Sequence, residues 1–584
     1  MRCARRRPLA VVAACAALAA APAGDRPPAD ARASSDALLA DFHLAGGDGV
    51  RVGLWSEAAR FAAQLVAALP SDGPERAATV ARLGALARAE GAAPVRVLLL
   101  ATGDVGPADP HPAGAFVLHD PFALAMKRLG LEREGDVVVV DRHLQLCWRG
   151  TSRGAGEAVA AVVAGTKPPE ESGAPRGREI APVAAPRVTF FKDVLPIVRS
   201  QCATCHCRDG LAPMDLTDAE EARGWAPMMA EVTAGGVMPP WSADPRYALC
   251  RNERRLTDTE KETIRLFAAQ GAPAGDPPPG FAPAPEPSPE PGGATMRWTI
   301  GEPDAVWELP HPEEIPAEGV LEYRAALVKT DLPDDAWIEA LECRPTAPQV
   351  LHHLVALLLP DEVRDDQVTT FSTSFGEAVF GGYVPGAPAV GFPPGCARRL
   401  KKGQRFLLSI HYTTNGKPAI DRTRIGVRFA RGPVLHEVRS ALLATQDIDL
   451  APGAAGVQVI AVRRIEQPIE ILGFQVHMHA RGVRYRYQAS RDGVVRTLFD
   501  IPRFDWNWQH YYDLAAPIRI ETGDVLAGVA TYDNSAANPR NPDPKARVKN
   551  GPQSTDEMMN GFYYYIDAPP AAATPGPPGP RGAR

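Results

Sequence analysis

Two proline-rich stretches divide this 584-residue chain into three segments. The stretches span residues 167–186 and 276–294 in a chain that contains 59 prolines. Segments of this composition form extended, semi-rigid spacers rather than packed cores. The chain is also too long for one core, and its length suggests about three to five domains. We therefore expect a multidomain protein whose segments fold around separate cores.

Charge and hydropathy exclude two kinds of partner. The net charge is -6 with both signs mixed along the chain, which leaves no basic stripe for nucleic acid. Beyond residue 21, no stretch approaches the roughly 20 apolar residues that a membrane helix needs. We therefore expect no nucleic-acid partner and no transmembrane span.

The N-terminus has the pattern of an export signal. Arginines at positions 2 and 5–7 precede an apolar run, and Ala21-Pro22-Ala23 is a small-residue cleavage site. Residues 1–23 are therefore predicted to be a signal peptide, and the protein to be periplasmic or secreted. Alternatively, residues 12–15 form a lipoprotein box with Cys15 as a lipid anchor. Export would place the seven cysteines that follow Cys15 in an oxidising compartment, where cysteines are expected to form disulfides.

Residues 36–166 alternate between strand and helix patterns. A buried strand at 95–100 is followed by a capped helix at 123–130 and by a hairpin of 136–141 with 144–148. This order resembles the thioredoxin-like α/β fold of peroxiredoxin and redoxin domains.

The chemistry of such domains needs a thiolate near the end of an early strand. Residues 69–74 occupy that place, and no cysteine occurs between Cys15 and Cys147. The domain is therefore predicted to be degenerate and to serve in docking or stability. Cys147, in an apolar strand, is predicted to be a buried core residue.

Residues 187–275 contain Cys202-Ala203-Thr204-Cys205-His206, the signature of c-type heme attachment. The two thiols, one helical turn apart, would bind the porphyrin, and His206 would be the proximal iron ligand. The alternatives are a chance disulfide or half of a zinc site. Apolar residues at 191–198 and a capping box at Thr257 through Glu260 predict a helix on each side. The segment resembles a small α-helical cytochrome c carrying one covalently attached heme c.

The sixth heme ligand is less constrained by the sequence. Met238, in a proline-stiffened loop, is favoured over Met214, Met228 and Met229. A disulfide between Cys207 and Cys250 is also predicted.

Residues 295–430 and 431–568 consist of short alternating strands with frequent turns. This pattern predicts two tandem antiparallel β-sandwiches, followed by a disordered tail at 569–584. Eight of the chain's 13 histidines lie beyond residue 300. Of these, His311, His436 and His510 are predicted to be structural.

The first histidine motif is His477-Met478-His479, which follows an apolar strand. Side chains at i and i+2 share one face, so both imidazoles can bind one metal while Met478 points away. Asp556-Glu557-Met558 lies about eighty residues further on. Together the two motifs resemble the catalytic copper site of the copper type II, ascorbate-dependent monooxygenases that hydroxylate peptidylglycine or dopamine. The resemblance implies jelly-roll-like copper domains, and Met558 rather than Met559 as the third ligand.

A second set, His352-His353 and His411, resembles the other copper site of the same family. Adjacent strand residues face opposite ways, so a bulge or strand end must let both His352 and His353 reach one metal. The resemblance implies two copper ions, with oxygen binding at His477, His479 and Met558 and electron storage at the other site. It also implies partners: O2, a small organic substrate, and an electron donor that is ascorbate or a redox protein. A bridge between Cys343 and Cys396 would join strands of the first sandwich.

The chain departs from the peptide-hydroxylating members at two places. An arginine and a tyrosine of those members hold the substrate carboxylate, and this chain has Gln475 and Phe562 there. A peptidylglycine substrate is therefore not expected. An aromatic cluster either lines a pocket for a more apolar molecule or packs in the core; it comprises Phe504, Trp506, Trp508, Tyr511 and Tyr512.

The predicted function is an exported copper monooxygenase that hydroxylates a C–H bond of a small molecule, with electrons supplied through the heme. Two alternatives remain: a heme and copper protein for electron transfer or copper binding, and a redox sensor. Two unlike copper sites favour the enzyme, because storage of copper does not need them.

Overall fold

The computed structural model forms two compact units, Pro22–Thr295 and Met296–Arg584. The residues that it describes are 39, 41–45, 51–70, 73–87, 94–102, 115–170, 178–180, 185–208, 210–281, 298–359, 378–386 and 389–568. The predicted signal peptide with Cys15, and the predicted tail, lie outside these residues. Among the described residues, no helix has the length and apolar character needed to cross a membrane.

The first part of the N-terminal unit is a five-stranded sheet with helices. In spatial order, the strands are Ala115–His119, Val95–Ala101, Ala63–Ala68, Asp136–Asp141 and Leu146–Thr151. The first three strands are parallel, and the last two are antiparallel to their neighbours. The helices are Gly73–Leu86, Leu124–Leu129 and Ala155–Ala164. The predicted strand, short helix and hairpin are therefore confirmed.

Both faces of this sheet are buried, which explains the continuous apolar runs of its strands. Val97 and Leu99 pack in one core cluster, and Leu98 and Leu100 pack in the cluster on the opposite face. The prediction for Cys147 was wrong, because this residue is only partly buried. The neighbouring Trp148 fills the core instead, at 7% exposure.

A small antiparallel pair of strands, His43–Ala45 and Arg51–Gly53, contacts the region around helix Asp258–Ala269 of the same unit. The Arg51 guanidinium donates to both carboxylate oxygens of Glu260, at 2.9 and 2.6 Å. His43 is buried there, with Nδ1 3.4 Å from the carbonyl oxygen of Leu256. These contacts join the α/β part to the helical part.

The helical part consists of three helical segments. One ends at the predicted heme motif and two follow it. The three segments are the irregular helix comprising Phe190–Val194, Leu195–Ile197 and Val198–Cys202, then Ala219–Ala234 and Asp258–Ala269. The predicted capping box is confirmed, because Thr257 and Glu260 each bond the other's backbone. The assignment of this part to the cytochromes stays a prediction.

The first β-sandwich has two main sheets. One contains Arg324–Lys329, Arg405–Tyr412, Leu351–Leu358 and Val379–Tyr383 in spatial order. The other contains His436–Glu437, Cys396–Leu400, Ala336–Arg344, Arg424–Phe429 and Ala305–Glu308, with Val390–Gly391 beside Ala336–Arg344. A further pair is Glu313–Ile315 with Ala419–Asp421.

The named strands of the second β-sandwich all pair antiparallel, and one isolated bridge, Asn550 with Glu557, is parallel. One sheet contains Arg439–Ala444, Asn560–Asp567, Ile469–His477 and Tyr511–Ile520. The other contains Ala455–Arg464, Val525–Asp533, Gly482–Arg491 and Val494–Ile501, and Asp449–Leu450 pairs with Val548–Lys549. β-sandwich-like sheets are therefore confirmed for the C-terminal unit, while the domain boundaries stay predictions.

A buried apolar cluster contains residues of both sandwiches. Leu357 and Leu407 come from the first, whereas Leu472, Phe562 and Tyr564 come from the second. The two sandwiches therefore share part of their core.

No disulfide forms among the described cysteines, so neither predicted bridge is present. For the pair in the first sandwich the reason is structural. Cys343 belongs to the core cluster of that sandwich, whereas Cys396 belongs to the cluster shared by both.

Candidate metal centres

The first histidine group lies on two neighbouring strands. His352 and His353 are on Leu351–Leu358, and His411 is on the adjacent Arg405–Tyr412. The strand pairing shifts between Leu351 and His353, so the predicted bulge is confirmed at His352. One potential ligand atom from each of the three histidines lies within 4.8 Å of the other two.

The ring nitrogens of this group suit a metal ion. Nδ1 of His352 lies 2.9 Å from Nδ1 of His353. Nε2 of His352 and Nδ1 of His411 are buried, and neither has a hydrogen-bond partner among the described residues. Burial and the neighbouring imidazoles lower the pKa of His352 to about 3 and that of His411 to about 4. The imidazoles are therefore neutral, the state that binds a metal.

Tyr323, the residue before strand Arg324–Lys329, contacts two histidines of this group. Its hydroxyl lies 3.0 Å from Nε2 of His353, and its ring stacks on His411 with centroids 4.6 Å apart. Burial raises the pKa of Tyr323, which keeps the hydroxyl protonated. A hydrogen bond from Nε2–H of His353 to this hydroxyl leaves Nδ1 of His353 unprotonated for a metal.

The second histidine group lies at the end of strand Ile469–His477. The rings of His477 and His479 lie edge to face with centroids 5.1 Å apart. Nδ1 of His477 donates to Oε1 of Gln509 at 2.6 Å, and Nδ1 of His479 donates to the Asp556 carbonyl at 3.1 Å. Nε2 of His479 is buried without a described partner, and burial lowers the pKa of this residue to about 3.

The Asp-Glu-Met turn is held beside this group by a buried carboxylate. Glu557 accepts hydrogen bonds from the backbone N–H groups of His479 and Arg481, at 2.9 and 2.7 Å. Burial raises the pKa of Glu557 to about 7. Met558 and His477 line one cavity, whereas Met559 is buried at 1% exposure. This placement favours Met558 over Met559 as a ligand.

One loop of the second sandwich contacts both histidine groups. The Trp506 ring packs on His352 with centroids 4.2 Å apart. Nε2 of Gln509 donates to the Trp506 carbonyl at 2.8 Å, while its Oε1 holds His477. The two groups themselves meet at His353 and His477, whose ring centroids are 5.1 Å apart.

A cavity of about 420 Å³ lies beside the place where the two groups meet. His353 of the first group and His477 of the second line it, together with Met558. Gln475 and Phe562, which stand where peptide-hydroxylating enzymes have an arginine and a tyrosine, also line this cavity.

Residues 457–574 match the family copper type II ascorbate-dependent monooxygenase, C-terminal domain. The matched segment contains His477, His479 and Met558, and the first sandwich lies outside it. The match supports copper as the metal and an oxidoreductase type of enzyme. No curated protein sequence matches the chain.

Solved structures with similarity to the chain include thioredoxin-like proteins. A hypothetical protein from Sinorhizobium meliloti 1021 is 21% identical over 26% of this chain and 95% of its own, with a TM-score of 0.20. The exposed lipoprotein thioredoxin Etrx1 from Streptococcus pneumoniae is 18% identical over 22% and 99%, with a TM-score of 0.19. The major capsid protein P2 from Bacteriophage PM2 is 10% identical over 45% and 97%, with a TM-score of 0.24.

The predicted heme motif lies at the end of the irregular helix in the N-terminal unit. The His206 N–H donates to the Cys202 carbonyl at 2.9 Å, and Nδ1 of His206 is buried without a described partner. Burial raises the pKa of Cys202 to about 12 and also raises that of Cys205. Both thiols are therefore protonated, and no disulfide joins them.

The candidate methionines near this motif differ in burial. Met228 is 48% exposed and Met229 is buried in the core at 6% exposure. Met214 and Met238 are half-buried. The choice of Met238 as the sixth ligand stays a prediction.

The aromatic cluster of the second sandwich divides between the two predicted roles. Trp506 lies at the first histidine group, whereas Phe504, Tyr511 and Tyr512 are buried. His510 is buried beside Trp508 and Tyr512, and His311 and His436 are exposed.

Sequence reasoning missed Tyr323, Gln509 and the role of Glu557. Only Glu557 carried a signal, because it belongs to the Asp-Glu-Met motif. Tyr323 and Gln509 reach the histidines through tertiary contacts that no local pattern shows.

Proposed function

We propose that this protein is a copper-dependent monooxygenase with two copper sites. His352, His353 and His411 would hold one ion, and His477, His479 and Met558 the other. The observation that carries the proposal is that both groups contain buried imidazole nitrogens without a partner among the described residues. One further histidine of each group, His353 and His477, lines a common cavity. A buried polar atom without a partner is unfavourable unless a ligand satisfies it.

The net reaction would hydroxylate a C–H bond of a small organic molecule. One atom of O2 enters the product as a hydroxyl group, and the other leaves as water. Two electrons and two protons complete the balance, with ascorbate or a redox protein as the donor. Bound copper supplies the one-electron and oxygen chemistry. The thioether of Met558 would favour Cu(I) over Cu(II), so the two unlike ligand sets would suit different roles.

The chain's own residues would orient ligands and exclude water. Gln509 and the Asp556 carbonyl fix the two imidazoles of the second group, and Tyr323 fixes His353. Such partners set the tautomer and direction of a ligating histidine. Trp506 covers His352 and limits solvent access.

We also propose that electrons enter through a heme c bound at Cys202, Cys205 and His206, with Met238 as sixth ligand. The buried Nδ1 of His206 and the two adjacent thiols support this part. The pyridine hemochrome spectrum of the purified chain tests it directly. Absence of the covalent c-type spectrum contradicts heme attachment without affecting the copper proposal. Export to the periplasm or outside the cell would supply the assembly compartment.

The main test combines metal content with oxygen uptake. The copper-loaded chain should bind two copper ions and consume oxygen with ascorbate and a panel of small organic compounds. His477→Ala should abolish substrate-stimulated uptake, whereas His436→Ala, at an exposed histidine, should retain it. Two bound coppers without substrate-stimulated uptake would instead support the alternative, a copper protein for electron transfer or copper binding.

A further inference from the structure

The cavity lined by His353 and His477 has the volume and the chemical lining of a ligand site. Its volume of about 420 Å³ lies within the range of roughly 300 to 1,000 Å³ that is usual for small-molecule pockets. It reaches His353 of the first group and both His477 and Met558 of the second. A molecule in it would therefore lie against both proposed metal sites.

The cavity offers no unpaired ionic partner for a charged ligand. Among its described lining residues, Arg324 is the one Lys, Arg, Asp or Glu side chain. The Arg324 guanidinium already donates to the Glu313 carboxylate, and to the Glu314 carbonyl at 3.0 Å. Burying a carboxylate without a cation partner is unfavourable. The side chains of the lining therefore offer an anion no counter-charge, and a counter-charge would have to come from the proposed copper ions themselves.

Uncharged hydrogen-bonding groups line the cavity instead. The carboxamides of Gln446 and Asn550 have no hydrogen-bond partner within the described residues, and both line the cavity. Gln475 makes one long contact, from Nε2 to the Gln509 carbonyl at 3.5 Å. A carboxamide both donates and accepts, so these side chains can pair with an amide or a hydroxyl group.

The remaining wall is apolar. Leu354, Val384 and Phe562 are buried residues that line the cavity, and Val355 and Pro552 extend this surface. An apolar body packed there would be removed from water, which is favourable in proportion to its area.

We propose that the substrate is an uncharged molecule with an amide or hydroxyl group and an apolar body. Its polar group pairs with Gln475 and Asn550, and its apolar body packs on Phe562 and Val384. This inference rests on the proposed function, since it assigns a substrate class to the same site. It differs from the peptide-hydroxylating enzymes in the absence of a carboxylate clamp.

The test uses two probes with the same phenyl and methylene groups, the neutral phenylacetamide and the anionic phenylacetate. Their binding to the copper-loaded full chain is measured by titration calorimetry without a reductant. The amide should bind at least about tenfold more tightly, because removing a carboxylate from water costs more than removing an amide and no lining side chain supplies a free cation. Gln475→Arg should reverse or remove this preference.

The matched control is Gln458→Arg, at an exposed glutamine of strand Ala455–Arg464 outside the cavity. It should keep the preference for phenylacetamide. Copper content of two ions per chain verifies that each variant is folded. Equal or tighter binding of phenylacetate by the unchanged protein, a ratio unaffected by Gln475→Arg, or no binding of either probe overturns the inference. Oxygen uptake is a separate readout, so loss of the monooxygenase proposal is distinguishable from loss of this one.

Discussion

Gln509 holds the imidazole of His477 by a 2.6 Å contact between Oε1 and Nδ1, while its own Nε2 donates to the carbonyl of Trp506. Gln509 is buried at 5% exposure, so its side chain has little freedom to turn away. A glutamine with both amide atoms engaged therefore directs Nε2 of His477 toward the proposed metal.

Gln509→Leu should weaken copper binding at the second site. Loss of an outer partner of a ligating histidine typically reduces metal affinity by about tenfold to hundredfold. Competition with a copper chelator measures the affinity, and the sulfur contribution in copper X-ray absorption identifies the site with Met558. Gln458→Leu is the surface control and should bind copper as the parent does. Unchanged affinity in Gln509→Leu would show that His477 is oriented by packing alone.

Tyr323→Phe should weaken copper binding at the first site, formed by His352, His353 and His411. The substitution removes the hydroxyl 3.0 Å from His353 but keeps the ring that stacks on His411. Copper should therefore bind about tenfold more weakly at the first site. The sulfur contribution from Met558 should not change. Equal weakening at both sites contradicts the assignment of Tyr323 to the first group.

His411→Ala should remove one copper ion from each chain. Two imidazoles remain in the first group, too few for a stable site, while His477, His479 and Met558 are untouched. Elemental analysis after gel filtration should give about one copper per chain. His436→Ala replaces an exposed histidine and should retain two. Retention of two copper ions by His411→Ala would show that copper binding does not require His411.

His43 should make the N-terminal unit less stable in mild acid. Burial lowers the pKa of His43 from 6.5 to about 3, so the native state keeps it neutral. Between these values the unfolded state binds more protons, and stability therefore falls as the pH falls below 6.5. At pH 5 the loss is about 2 kcal/mol relative to neutral pH.

Urea denaturation at pH 7 and pH 5 measures this effect for the parent and for His43→Gln. The variant has no titrating group at this position, so its stability should change less between the two values. Equal changes in both proteins would mean that another group determines the acid sensitivity.

Local patterns in the sequence predicted the strands that carry the two histidine groups. The two-residue spacing of His477 and His479 predicted that their rings lie close together, and the rings do lie edge to face. The adjacency of His352 and His353 required the bulge that the strand pairing shows. Both conclusions follow from strand geometry alone. The strands, the short helix and the capping box of the N-terminal unit followed from periodicity in the same way.

Contacts between distant elements could not be predicted. Tyr323 and Gln509 lie on separate segments that only the folded sheets bring to the histidines. Cys147 was misjudged because its strand is apolar in composition, yet Leu146 is 37% exposed and Trp148 provides the buried face. The bridge between Cys343 and Cys396 failed for a related reason, because the two side chains enter different core clusters.

Trp506 comes from the second sandwich and covers His352 of the first, and buried side chains from both halves share one cluster. A truncated protein ending near residue 430 would therefore expose apolar surface and leave His352 uncovered. We expect such a fragment to aggregate or to lose copper when expressed alone. Replacing one β-sandwich with that of a related protein would also require replacing the loop around Trp506. We therefore expect the two sandwiches to be inherited together and to need joint redesign.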